Sequence, residues 1–136
     1  MIDKEIIKIA SNTENHGVLN NHTHFSKLKN SICGDEMKIY LIIEDEKITD
    51  FKYECESCIY CQASVSLLSR SAKNKSIKKV KNFAKKAKKS FQKNTNSFDK
   101  EWEEFGKIMT IKNISRKECL LLPLNTTLDA LNKKSL

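Results

Sequence analysis

Met37-Lys38-Ile39-Tyr40-Leu41-Ile42-Ile43, then Glu44-Asp45-Glu46-Lys47, then Ile48-Thr49-Asp50-Phe51-Lys52-Tyr53-Glu54 is the stretch that decides the fold. The first run is rich in β-branched and aromatic side chains, and the last alternates apolar and polar. The four residues between them are polar, so the whole predicts an antiparallel hairpin. A first strand is placed near residues 24–29. After Cys58 the period changes from two to helical. Ala63, Val65, Leu67 and Leu68 lie among small polar residues, which predicts a closely packed helix over 60–72. Asn74-Lys75-Ser76 breaks it, and Ser76 is positioned to cap a second helix over 77–92. There Ile77, Val80, Phe83, Ala84, Ala87 and Phe91 recur at intervals of three and four. Outward from this centre, residues 2–10 predict a short amphipathic helix, and residues 11–23 and 93–99 loops. Glu101–Phe105 predicts one helical turn, and residues 124–133 a closing helix. The expected class is α+β, a small antiparallel three-stranded sheet packed with several helices. No repeat or composition shift divides the chain, so residues 1–136 are expected to form one domain.

With 136 residues, 39% hydrophobic and 31% charged, the composition is that of a globular protein enriched in lysine. The formal net charge of +8 points to acidic partners, nucleic acid or an anionic surface without choosing among them. No apolar run approaches the roughly 18 residues of a membrane span. The opening MIDKEIIKIAS lacks the apolar stretch of a signal peptide. The expected location is therefore the cytoplasm, with no membrane partner. A reducing compartment keeps thiols free, so five cysteines, an odd number, point to metal binding or thiol chemistry before disulfides.

Three cysteines stand where the topology makes them interesting. Cys33, followed by Gly34 and Asp35, precedes one hairpin strand, and Cys58 follows the other. The two ends meet at one edge of an antiparallel pair. Gly34 allows a tight turn beside a metal. Asp35 offers a hard oxygen ligand or a hydrogen-bond acceptor. The helix opening near Cys58 presents its positive N-terminus to a thiolate. Cys119 lies much later, within Arg116-Lys117-Glu118-Cys119-Leu120. Three thiolates and a carboxylate make a four-coordinate site for zinc or iron. Lys117 is placed to help the thiols ionise.

Cys33-Gly34-Asp35, then Cys58-Ile59-Tyr60-Cys61-Gln62-Ala63-Ser64-Val65-Ser66, then Cys119 with its leucine-rich continuation, resembles the NifU N-terminal, IscU and SufU family. The likeness runs from Asn15-His16-Gly17 to the terminal helix. It implies a SufE/NifU-type fold and an iron–sulfur cluster assembly scaffold or sulfur acceptor. Such a protein takes sulfur from a cysteine desulfurase, binds iron and passes a transient 2Fe–2S cluster to recipient apo-proteins. Zinc occupies the same site in some members. Carried over by position, Cys33, Asp35, Cys58 and Cys119 are the implied metal ligands, Cys119 being also the candidate sulfur-accepting thiol. Glu118 stands where IscU members have histidine and SufU members a basic residue. The interval from Cys58 to Cys119 is long, with an added segment around Trp102, which points toward the SufU side. The Leu-Pro-Pro-Val-Lys motif that a dedicated Hsp70 chaperone reads is absent before Cys119. Family glycines are replaced by Cys55 and Ser57.

Plainer readings stand beside these. The three cysteines alone are equally consistent with apolar thiols packed in a core. Cys55, Cys58 and Cys61 spell C-x-x-C-x-x-C, but a ferredoxin run needs a fourth cysteine and a following proline. Cys61 reads as a core-adjacent thiol, with an auxiliary, sulfur-relay role as its functional alternative, and Cys55 reads as structural. His16, His22 and His24 read as solvated loop histidines. Trp102 and Phe105 read as a hydrophobic anchor. The lysine face of residues 73–93 lacks interleaved aromatics, so specific nucleic-acid binding is not expected. It reads as a solvated face or as a docking face for an acidic partner. The competing function is a zinc-stabilised basic binding module with purely structural cysteines.

Overall fold

The computed structural model describes residues 3–32, 34–92 and 98–133. The chain opens with α1 (Lys4–Ala10), capped by the Asp3 carboxylate, which accepts the Glu5 N–H at 2.8 Å. Ile6, Ile9 and Ala10 face inward, whereas Ile7 stays exposed. Of the expected 2–10 helix, Ile2 lies outside the described residues. β1 (His24–Lys29), β2 (Glu36–Glu44) and β3 (Lys47–Glu56) form an antiparallel sheet in the order β1-β2-β3. Register pairs Met37 with Cys55, Ile39 with Tyr53 and Leu41 with Phe51. Met37, Ile39, Leu41, Phe51 and Tyr53 are buried, and strand alternation puts them on one face. Asp45 and Glu46 both take positive φ, 51° and 64°, which is the two-residue turn that matches the right-handed twist of a hairpin.

α2 (Ile59–Ala72) packs on β3, and α4 (Lys117–Leu131) packs on β1 and β2. The two helices also pack on each other, with α1 against α2. α3 (Ile77–Lys89) is capped by Ser76, whose hydroxyl accepts the Lys79 N–H at 3.1 Å. The α2–α3 connection is stitched to β3, since Asn74 N–H donates to Ile48 O at 2.7 Å and Ile48 N–H to Lys75 O at 3.0 Å. Val80, Phe83, Ala84 and Ala87 form the buried stripe of α3. Phe83 stacks on Trp102 with ring centroids 4.4 Å apart, and Phe105 closes the cluster at 4.8 Å. The anchor reading of Trp102 and Phe105 therefore describes what these rings do. They lie in a 3-10 segment, Lys100–Lys107, longer than the single turn expected.

Two further boundaries matter to the site and its surroundings. α3 ends at Lys89 and continues as a 3-10 turn, Ser90–Gln92, where the Ser90 N–H and, at 2.6 Å, its hydroxyl both donate to the Ala87 carbonyl. The closing helix begins at Lys117, well before residue 124. Pro123 sits inside it and cannot donate an N–H to the Cys119 carbonyl one turn back. Burial of Leu120, Leu121, Leu122 and Leu124 holds that turn helical regardless. The expected 93–99 loop falls largely on residues 93–97, outside the described set. Among the described residues, no helix is long and apolar enough to cross a membrane.

Candidate metal and cluster site

The loop between β1 and β2 builds one wall of the site. Gly34 adopts φ +73°, a conformation that disfavours any side chain, and its N–H donates to Asn30 O at 2.7 Å. Asn30 N–H donates to Asp35 O at 2.7 Å, which closes the loop. The carboxylate of Asp35 is thereby carried inward, where only 5% of the residue is exposed. There its Oδ1 accepts the Cys58 N–H at 3.0 Å. Cys58 is the N-cap residue of α2 and makes no side-chain capping bond, so its sulfur is not engaged in closing the helix. The acceptor alternative read for Asp35 is thus what the structure shows, and it fixes the backbone at one thiol.

Cys119 arrives from the far end of the chain as the third residue of α4 and is buried. The Ser64 hydroxyl donates to Leu120 O at 2.6 Å, tying α2 to α4 one residue beyond Cys119. On the rim, the Arg116 guanidinium lies 5.1 Å from the centroid of the Tyr60 ring, bridging the start of α4 to the first turn of α2. Sequence reading did not find these two ties. The Ser64 tie left one signal, the small polar residues of α2 that mark close packing, and the Arg116 contact left none.

The donor atoms of Asp35, Cys58 and Cys119 all lie within 4.8 Å of one another. A tetrahedral centre with zinc–sulfur bonds near 2.3 Å separates its donors by about 3.8 Å. The set fits a divalent zinc or iron ion in donor type, and in spacing to within a side-chain adjustment. No other such group of histidine, cysteine and acidic side chains occurs among the described residues. Cys33 lies outside them.

The remaining candidates are not part of this three-residue group. Cys61 is fully buried, and burial pushes its thiol far above the ordinary range, with the Asp35 charge adding to the effect. Cys55 in β3 is half-buried and raised for the same leading reason. The Ser57 hydroxyl partly offsets both shifts. His16 is exposed and sits edge-on to Tyr53 at 5.6 Å. His22 places Nδ1 2.7 Å from Leu19 O. His24 is not a loop residue, as the reading of the three histidines had it, but opens β1, where burial lowers its pKa. Its Nδ1 lies 2.8 Å from the Thr23 hydroxyl, a polar partner at the strand start that holds the ring half-buried.

Comparison with known proteins shows the family and the fold. The family model of the NifU-like N terminal domain matches residues 1–100. The iron–sulfur cluster assembly scaffold protein IscU of Thermotoga maritima is 29% identical over 136 residues, covering 99% of this chain and 95% of that protein. The zinc-dependent sulfurtransferase SufU of Bacillus subtilis is 30% identical over 74 residues, 54% of this chain and 50% of that protein. Among solved structures, the N-terminal part of a NifU-like protein from Brucella abortus superposes with a TM-score of 0.83 at 21% identity, covering 95% of this chain and 90% of that one. A scaffold protein assigned to the SUF system of Fervidobacterium islandicum gives 0.80 at 25% identity, covering 96% of each chain. The chain belongs to the NifU-like N-terminal domain family, that of the IscU and SufU iron–sulfur cluster assembly scaffolds.

Proposed function

We propose that residues 1–136 act as one unit that accepts sulfur and iron and holds a nascent 2Fe–2S cluster, or zinc, through Cys33, Asp35, Cys58 and Cys119. The cluster is cargo and passes to recipient apo-proteins. The observation that carries this reading is the convergence of Asp35, Cys58 and Cys119 from three separate elements onto one point. A mixed sulfur and oxygen set also favours cargo over a structural ion, because structural zinc is typically closed by four cysteine or histidine ligands.

Sulfur arrives from a cysteine desulfurase. The Cys119 thiolate attacks the outer sulfur of the desulfurase persulfide. That sulfur's bond to the desulfurase cysteine breaks, and the electron pair leaves as the desulfurase thiolate. Cys119 is left as a persulfide with no net oxidation or reduction. Cys119 stands in the first turn of α4, so its thiol lies at the positive end of that helix's dipole, which favours the thiolate. Cys55, Cys58, Cys61 and Cys119 are all unbridged, which suits a reducing compartment such as the cytoplasm.

The test is anaerobic reconstitution with ferrous iron and sulfide, compared with zinc loading. The parent should take up cluster with visible absorption, and Cys58→Ser and Cys119→Ser should each lose it while keeping the far-UV circular dichroism. Tight zinc binding with no cluster uptake and no persulfide on Cys119 would favour the zinc-stabilised binding module instead.

A further inference from the structure

Residues 73–92 contain nine lysines and no acidic residue, against a net charge of +8 for the whole chain. The remainder of the chain therefore carries a net charge of −1. On α3, Lys78, Lys79, Lys85, Lys86, Lys88 and Lys89 are exposed and Lys81 half-exposed. Among the described residues, the only ion pair these lysines make is Lys79 with Glu101, at 3.6 Å. Lysines three and four apart repel along the helix surface, as Lys81, Lys85 and Lys89 do. Lys78 and Lys79 also sit at the positive end of the helix dipole, where cations are disfavoured. This concentration works against the isolated helix, and an acidic surface laid along it would relieve the repulsion.

The nature of that surface follows from three further observations. First, the apolar stripe of α3 is buried in the core, so the helix has no free face to insert into a lipid layer. Second, between α3 and the Lys100–Lys107 segment lies an open cavity of about 290 Å³. Lys79, Asn82, Lys85 and Lys86 line it beside the Phe83 and Trp102 rings, with Asp99 and Glu101 on the opposite wall. Its size admits one protein side chain, and its rings are engaged with one another rather than free for a base, Phe98 standing edge-on to Phe83 at 5.2 Å and Phe83 stacked on Trp102. Third, the basic strip leads to the thiols. The Ser90–Gln92 turn that ends α3 packs against Ile111–Arg116. Arg116 lies over Tyr60, beside the Cys58 end of α2, and Lys117 opens the helix that carries Cys119.

We infer that the lysine face of α3, with the cavity beside it, is the docking surface for an acidic protein, the sulfur-donating desulfurase, which the strip guides onto Cys58 and Cys119. The identity of that partner rests on the sulfur-acceptor reading above. Steering by such a patch raises association rates by about 10- to 1,000-fold and fades with salt.

The test is stopped-flow association of the full chain with the cognate cysteine desulfurase across a salt series. It compares the parent with Lys81→Glu/Lys85→Glu/Lys89→Glu and with a control in which the same three lysines become arginine. The reversed variant should associate at least about tenfold more slowly at low ionic strength, with the difference vanishing at high salt. The arginine control should match the parent. Zinc loading by the reversed variant should equal the parent's, since none of the three lysines belongs to the donor group. That readout separates failure of the docking surface from failure of the site. Equal association rates at low salt would overturn the inference. So would binding of the parent, lost on reversal, to duplex DNA or phosphatidylglycerol vesicles at physiological salt while desulfurase association stayed unchanged.

Discussion

Asp35 carries two separable loads, and substituting it two ways tells them apart. Its Oδ1 accepts the Cys58 N–H at 3.0 Å, and the residue is only 5% exposed. Asp35→Ala removes that acceptor and leaves the Cys58 N–H without it at a partly buried helix start. Hydrogen bonds to charged acceptors contribute about 1.5–3 kcal/mol, and an orphaned buried donor costs about 1–3 kcal/mol. The alanine variant should therefore lose about 2 kcal/mol, a fall in melting temperature of roughly 5–10 °C for a chain of this size. Asp35→Asn keeps a carbonyl oxygen in place and should lose less than about 1 kcal/mol. The charge is gone in both, so both should alter the lifetime of a bound cluster, or the affinity for zinc, to a similar degree. Differential scanning fluorimetry of the metal-free proteins gives the first readout. Decay of cluster absorbance, or competition for zinc with a chelator, gives the second. If asparagine is as destabilising as alanine, the Cys58 N–H bond is not what Asp35 contributes to stability. If cluster decay matches the parent in both variants, the carboxylate does not touch the cargo.

Ser64→Ala removes the 2.6 Å bond to Leu120 O that fastens α2 to α4. It should cost about 1 kcal/mol in urea denaturation and lower zinc affinity severalfold, and unchanged affinity would show that the tie does not set the Cys58–Cys119 spacing. Trp102→Ala empties a site stacked on Phe83 and should cost about 3–5 kcal/mol in the same assay, whereas a loss under about 1 kcal/mol would contradict the anchor role. The Ser26 hydroxyl donates to Asp129 and, ahead of Lys133, holds that carboxyl below its ordinary value. A depressed carboxyl contributes stability above its unfolded pKa, near 3.9, and loses it as pH falls through the folded value. The melting-temperature gap between the parent and Ser26→Ala should therefore be open at about pH 6 and narrow below about pH 4; a gap that widens in acid would refute the linkage.

The hairpin was legible because its two strands alternate and its turn is polar, and Ser76 marked the start of α3 for the same local reason. What escaped was non-local. Leu120-Leu121-Leu122-Pro123-Leu124 has no period, and Pro123 read locally argues against a helix. Only burial of all four leucines against α2 and the sheet overrides that local signal. Hairpin topology made Asp35 and Cys58 legible as neighbours, whereas Cys119 was named by the family likeness alone; the structure brings the donor atoms of all three together. Cys33 stays an expectation, outside the described residues. Arg116 over Tyr60 left no trace in the sequence, since nothing local pairs positions so far apart in the chain.

The placement of the donors bears on how cargo is held and released. Cys58 caps α2 and Cys119 stands in the first turn of α4, so two helix N-termini, each the positive end of its dipole, meet at one point. Both helices are fixed by the core and by the Ser64 tie, so neither sulfur can retreat without disturbing buried packing. Asp35 belongs instead to the loop that turns on Gly34, where Ile32 is 79% exposed and a Cβ at Gly34 would meet no neighbour. On the proposed reading, a change of coordination that leaves the fold intact comes from the loop side. Oxygen is also the harder donor and the weaker partner for iron–sulfur cargo than thiolate. The division into two anchored sulfurs and a loop-borne carboxylate is what makes Asp35, rather than Cys58 or Cys119, the residue whose substitution should alter the lifetime of the cargo without abolishing its capture.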